Sequence, residues 1–125
     1  MRNSRNMRNL FSFVILCAAF GMLAIFPLLS SARPSTSVQI VNNTSRTIRY
    51  VYLSHVNADD WTGDQLGGSG ISPGGSSTLS NVACDQSQIK VIGEDQDGCF
   101  VYQVVNCGGA ATWTITNNTA ADCGQ

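Results

Sequence analysis

Charge is scarce in this 125-residue chain, which holds one lysine (Lys90), one histidine (His55) and one glutamate (Glu94). Three of its six arginines, Arg2, Arg5 and Arg8, fall within the first nine residues. Beyond residue 32 only Arg33, Arg46, Arg49 and Lys90 oppose eight acidic residues, a net charge of −4. Such a chain has no basic patch to neutralise phosphates, which excludes nucleic acid and anionic membrane surfaces as partners on charge grounds. No C-x-x-C pair is present, and with a single histidine the ligand sets of zinc and dithiol redox sites are missing. Gly67-Gly68-Ser69-Gly70-Ile71 departs from the G-x-S-x-G nucleophile elbow at its last position. Asp95-Gln96-Asp97-Gly98 lacks the third acidic ligand and closing glutamate of an EF-hand, and its chemistry is that of a hairpin turn. With no serine or cysteine partner set by a motif, His55 is expected to be a surface residue and the chain to be non-catalytic.

The long apolar run is confined to the start. Residues 10–29 follow the arginine-bearing segment almost unbroken, Pro27 interrupts them, and Ser30-Ser31-Ala32 provides the small residues a signal peptidase reads. This pattern predicts a signal peptide over residues 1–32, cleavage after Ala32, and a secreted or periplasmic mature chain of residues 33–125. The alternative is an uncleaved membrane anchor, the only membrane association expected. The mature portion suffices for a single domain with one modest core.

Four cysteines, Cys84, Cys99, Cys107 and Cys123, remain after Cys17 leaves with the signal, an even set suited to an oxidising compartment. Cys99 and Cys107 terminate one extended run and would stand roughly 26 Å apart at ~3.3 Å per residue, whereas a bridge requires Cα atoms within about 7 Å. Cys84 lies too far along the preceding run to reach Cys99. The expected bridges are therefore Cys84 to Cys107 and Cys99 to Cys123.

Residues 88–94 and 99–105 are short apolar, β-branched and aromatic runs on either side of residues 95–98, the pattern of a β-hairpin. A four-residue loop predicts Ile89 opposite Val104, Val91 opposite Tyr102 and Gly93 opposite Phe100, all on one buried face. Residues 37–41 and 47–54 flank a polar five-residue segment and predict a second hairpin, with Ile40 opposite Ile48 and Val38 opposite Tyr50. Residues 76–82 form a weaker strand after the Pro73-Gly74 turn. Residues 111–117 alternate cleanly; turning at Gly108-Gly109, they predict Trp113 opposite Val104 and Ile115 opposite Tyr102, with Thr112, Thr114 and Thr116 outside. The expected fold is all-β, a small antiparallel β-sandwich or barrel of about six to seven strands after a cleaved signal helix.

One connection, residues 55–71, is far longer than the others and holds Asp59, Asp60, Trp61 and Asp64. Loops of this length in compact domains are usually either functional or disordered. Its aspartates are candidate oxygen ligands for a weak calcium site, the one cofactor the sequence suggests. Aromatic burial predicts that Trp61 folds inward and plugs one end of the sandwich while the aspartates cap turns; the alternative is a solvent-facing stacking surface.

The runs VNNTSRTIRYVYLS, DDWTGDQLG and ISPGG resemble a widespread family of small secreted bacterial β domains. The family shows a V-N-x-T strand, an I-x-x-x-Y-x-S strand, a D-x-W-G-x-D-x-L-G loop, an L-x-P-G turn and a late strand pair with D-G at its tip. Asp60, Trp61, Asp64, Leu66 and Gly67 match the loop; Thr62 and Gly63 stand where the family has glycine directly after tryptophan. The resemblance implies a β domain and an exported location, with a cysteine pair like Cys84 and Cys107, and brings no activity. The expected function is a non-catalytic binding or envelope-associated module for a protein or glycan partner. Its rivals are a secreted protein inhibitor that uses the 55–71 loop and a small metal-dependent enzyme.

Overall fold

The computed structural model describes Pro27 and residues 35–124. The signal peptide and its cleavage after Ala32 lie outside the described residues. Six strands form in chain order: β1 (Thr36–Asn43), β2 (Ile48–Ser54), β3 (Ser76–Val82), β4 (Gln88–Asp95), β5 (Phe100–Asn106) and β6 (Ala110–Thr116). They make two three-stranded sheets, ordered β3-β1-β6 and β2-β4-β5, rather than a closed barrel. The pairs are antiparallel except β1 with β6, which run parallel with Ile40 beside Trp113.

Period-2 alternation explains which side chains go inward. Val38 and Ile40 of β1, Val51 and Leu53 of β2, Ile89 and Val91 of β4, Val101 and Val105 of β5, and Trp113 and Ile115 of β6 meet in one buried cluster. Leu66 and Ile71 of the long connection join it. Each fully buried aliphatic side chain contributes roughly 1.5–3 kcal/mol through removal from water. As expected, Thr112, Thr114 and Thr116 stay outside.

Three expected pairings are corrected. The first is the β1–β2 hairpin, whose strands lie in different sheets, so Val38 and Ile40 neighbour β3 and β6 instead of Tyr50 and Ile48. Asn42 makes the crossing: fully buried, its Nδ2 donates to the carbonyls of Arg46 and Ile71 at 2.8 Å each, and its Oδ1 accepts from the Thr44 hydroxyl at 2.7 Å. The second is the β5–β6 hairpin. After Asn106 the chain swings to β1, where the Gly108 N–H donates to Thr36 Oγ1 at 2.8 Å and the Ser37 N–H to the Gly109 carbonyl at 3.1 Å. Trp113 and Ile115 still face the core, but from the opposite sheet.

The third correction is a register shift of one. The Asp95 N–H donates to the Cys99 carbonyl at 2.9 Å, and the loop is Gln96-Asp97-Gly98, with Gly98 at φ 77° supplying the left-handed residue of a three-residue turn. Ile89 therefore faces Val105, Ile92 faces Tyr102 and Glu94 faces Phe100. A slip of one residue carries a whole set of side chains to the other face. Phe100, Tyr102 and Val104 thus lie on the outside of the sheet, not with Ile89, Val91 and Gly93. Both expected disulfides are present, Cys84–Cys107 and Cys99–Cys123, with Cα separations of 6.2 and 4.1 Å.

Candidate functional site

The long connection is built as a cover for the free edge of β2. The Thr62 N–H donates to the Leu53 carbonyl at 2.8 Å and the Gln65 N–H to the Val51 carbonyl at 2.7 Å, while Thr62 Oγ1 and Asp64 Oδ1 accept from the N–H groups of Leu53 and Val51. Ile71 closes the loop through a two-bond bridge with Ile48. An exposed strand edge is thereby satisfied without a further strand.

The aspartates of this loop part company. Asp64 Oδ1 also accepts from the Leu66 N–H at 3.0 Å, and Oδ2 from the Gly68 N–H at 3.1 Å. Burial pushes its pKa up, but the amides of Leu66, Val51 and Gly68 outweigh it and hold the carboxyl below its ordinary value. Asp60 pairs with His55 Nδ1, and its Oδ1 accepts from the His55 N–H at 3.0 Å. The bond to the His55 ring is the main reason the Asp60 carboxyl is lowered to about 2. Asp59 is exposed. Arg46 pairs with Asp95 and Asp97, not with the loop aspartates. Among the described residues no three His, Cys, Asp or Glu side chains converge on a point that could hold a metal ion. The Asp59, Asp60 and Asp64 cluster considered for calcium is therefore not assembled; Asp60 and Asp64 cap turns instead.

His55 is clamped on both sides, since its Nε2 lies 2.7 Å from Asp85 Oδ1. Asp60 first and Asp85 second raise its pKa by stabilising the imidazolium. With both ring nitrogens engaged by carboxylates, His55 joins the loop to the segment before β4.

Trp61 is the correction of most consequence. It lies on the outer face of β2-β4-β5, 41% exposed, rather than plugging the sandwich. Its ring centroid is 5.6 Å from that of Tyr52 and 5.3 Å, edge-on, from that of Phe100. Tyr50 stacks on Tyr52 at 6.3 Å, and Lys90 Nζ sits 6.0 Å over the Tyr102 ring. The Tyr52 hydroxyl donates to Glu94 at 2.8 Å; burial, then this bond, pushes its pKa up to about 12, so it remains a donor throughout the neutral range. Between Trp61, Phe100 and Tyr102 and the tail residues Ala121 and Asp122 runs an open groove of about 310 Å³, floored by Ile92. Tyr102 is 65% exposed beside it.

Of the residues singled out in sequence, only Trp61 enters this face; Asp59, Asp60 and Asp64 do not. Tyr50, Tyr52, Phe100 and Tyr102 were missed. Their signal is the spacing of two within each strand, which places each pair on one face, and the three-residue loop permitted by Gly98 puts Phe100 and Tyr102 on the same side as Tyr50 and Tyr52.

No family model matches the chain, and no curated protein matches it. An NMR structure of a protein from Eubacterium rectale is similar at a TM-score of 0.46 and 11% sequence identity, covering 74% of this chain and 88% of that one.

Proposed function

We propose that the chain is an exported, non-catalytic binding module that holds a glycan on the aromatic outer face of β2-β4-β5. The observation that carries this reading is the half-exposed Trp61, seated against Tyr52 and Phe100 by a loop otherwise spent on the β2 edge. Flat aromatic surfaces take the C–H face of a sugar ring, and polar groups around them fix its hydroxyls. Here Lys90 and Asp122 border the groove, and Glu94 accepts from Tyr52 nearby. Two disulfides indicate an oxidising environment, and the amino-terminal arginine and apolar segments support delivery to the periplasm or beyond.

The test is co-sedimentation with insoluble cell-wall glycans and polysaccharides, followed by titration with soluble fragments of whichever binds. Trp61→Ala and Tyr102→Ala should each reduce affinity at least about tenfold while the fold is kept. Retention of full binding by both variants, or absence of glycan binding by the native chain, would overturn the reading.

A further inference from the structure

Alternate residues of an antiparallel strand direct their backbone groups to opposite edges. In β5 the parity is set by its ends: the Cys99 carbonyl accepts from Asp95 and the Cys107 N–H donates to Ser87, so odd-numbered residues bond toward β4. Phe100 points the other way and exchanges two bonds, of 2.7 and 2.8 Å, with Asp122 of the tail. The N–H and C=O groups of Tyr102, Val104 and Asn106 consequently face outward. Among the described residues only Gln103 Nε2 approaches them, at 3.4 Å from the Val104 carbonyl.

The other edges differ. The edge of β2 is covered by residues 62–65. Strand β3 carries a bulge where Asn81 takes φ 54°, a device that twists an edge away from pairing. The outward side chains of β6 are Ala110 and three threonines, which offer little apolar area. Residues 102–106 of β5 have no charge, proline or bulge, and the exposed Tyr102 ring stands on their outer face. This edge lacks the features that keep strands apart, while the tail already shows that it accepts an extended segment.

We propose that residues 102–106 of β5 pair antiparallel with the same residues of a second copy of the chain, about a two-fold axis at Val104. In that register Val104 faces Val104 and Tyr102 faces Asn106, and the three outward residues exchange bonds in full. Asp122, seated on Phe100, stops the ladder at one end, and the turn at Gly108 stops it at the other. A strand edge this short falls below the roughly 1,000 Å² of a stable interface, so the dimer is weak and concentration-dependent. Its product is a continuous six-stranded sheet with both aromatic grooves on one face. A polymeric ligand that spans both grooves gains avidity, but the pairing itself does not depend on the ligand being a glycan.

Sedimentation equilibrium of the disulfide-bonded chain, from micromolar to millimolar, should show a reversible monomer–dimer equilibrium. Amide hydrogen exchange over the same range should show protection rising with concentration at Tyr102 and Val104, while Val101, Gln103 and Val105 are protected throughout. Val104→Pro removes an outward donor without touching a bond to β4, and should leave a monomer with native near-ultraviolet dichroism. Val104→Lys keeps the donor but places like charges face to face, and should also be monomeric; it decides the matter if the proline variant does not fold. Thr114→Lys on β6 should dimerise normally. A native chain that stays monomeric throughout, a dimer that survives Val104→Lys, or concentration-dependent protection confined to other strands would each overturn the proposal.

Discussion

Asp60 and Asp64 lie four positions apart in one loop and hold different things. Asp64 gathers three backbone N–H groups, one from β2 and two from its own loop, so it locks the cover onto the sheet edge. Asp64→Ala should cost about 1–3 kcal/mol in denaturant unfolding, through amides left without an acceptor, and amide exchange should quicken first at Val51 and Leu66. Asp60 acts with His55 and Asp85. Asp60 is depressed from 3.8, so its contribution is complete above that pH and is lost as pH falls toward 2. His55 is raised from 6.5, so its contribution is complete below that pH and fades as pH rises through the elevated value. The melting-temperature gap between the native chain and His55→Gln should therefore be widest between these two ordinary values and shrink on both sides. A gap independent of pH would mean that the imidazolium is not what joins the two segments.

Strands announce themselves by local pattern, but their partners do not. The spans of the β strands and the inward positions of Trp113 and Ile115 were legible because alternation of apolar and polar residues is written into each run. Register and sheet membership rest on single residues at the corners. Gly98, left-handed at φ 77°, shortens the β4–β5 loop by one residue and sends Phe100 and Tyr102 to the outside. Gly98→Ala should destabilise the hairpin by about 1–2 kcal/mol, the cost of a side chain in that conformation. At the other corner, Asn42→Ala removes one of two donors from each of the Arg46 and Ile71 carbonyls, which keep the Thr44 hydroxyl and the Ile48 N–H, and about 0.5–1.5 kcal/mol per lost bond should appear as a lower midpoint in urea. A loss below that of an exposed surface change would show that the crossing from β1 to β2 does not need this side chain.

At the scale of the whole molecule, two three-stranded sheets enclose a small core, and the disulfides tie its ends. Each closes a separation of 23 or 24 residues and should contribute about 3 kcal/mol, a large share for a domain of this size. Cys99–Cys123 also holds the tail against β5, where Asp122 bridges Phe100 and Ala121 walls the groove. The double substitution Cys99→Ser with Cys123→Ser should lower the melting temperature and weaken ligand binding together. Replacing Cys84 and Cys107 in the same way should lower stability by a similar amount with a smaller effect on binding. Equal effects of the two pairs on binding would detach the tail from the site.

Period, turn chemistry and cysteine arithmetic are local or nearly local quantities, and they determined the all-β class, the strand spans and the disulfide partners. The two corrected hairpins belong to another kind of information. The crossing that separates β1 from β2 is held by a buried Asn42 that reaches carbonyls 4 and 29 residues away, and no short window along the chain contains both. Trp61 makes the same point for the site. Burial statistics favour an inward tryptophan in a small domain, yet the space between the sheets is already filled by residues such as Ile40, Val51, Val91 and Trp113. The outside of β2-β4-β5 offered the remaining aromatic neighbours, and only the packed sheets could decide that Trp61 would join them there.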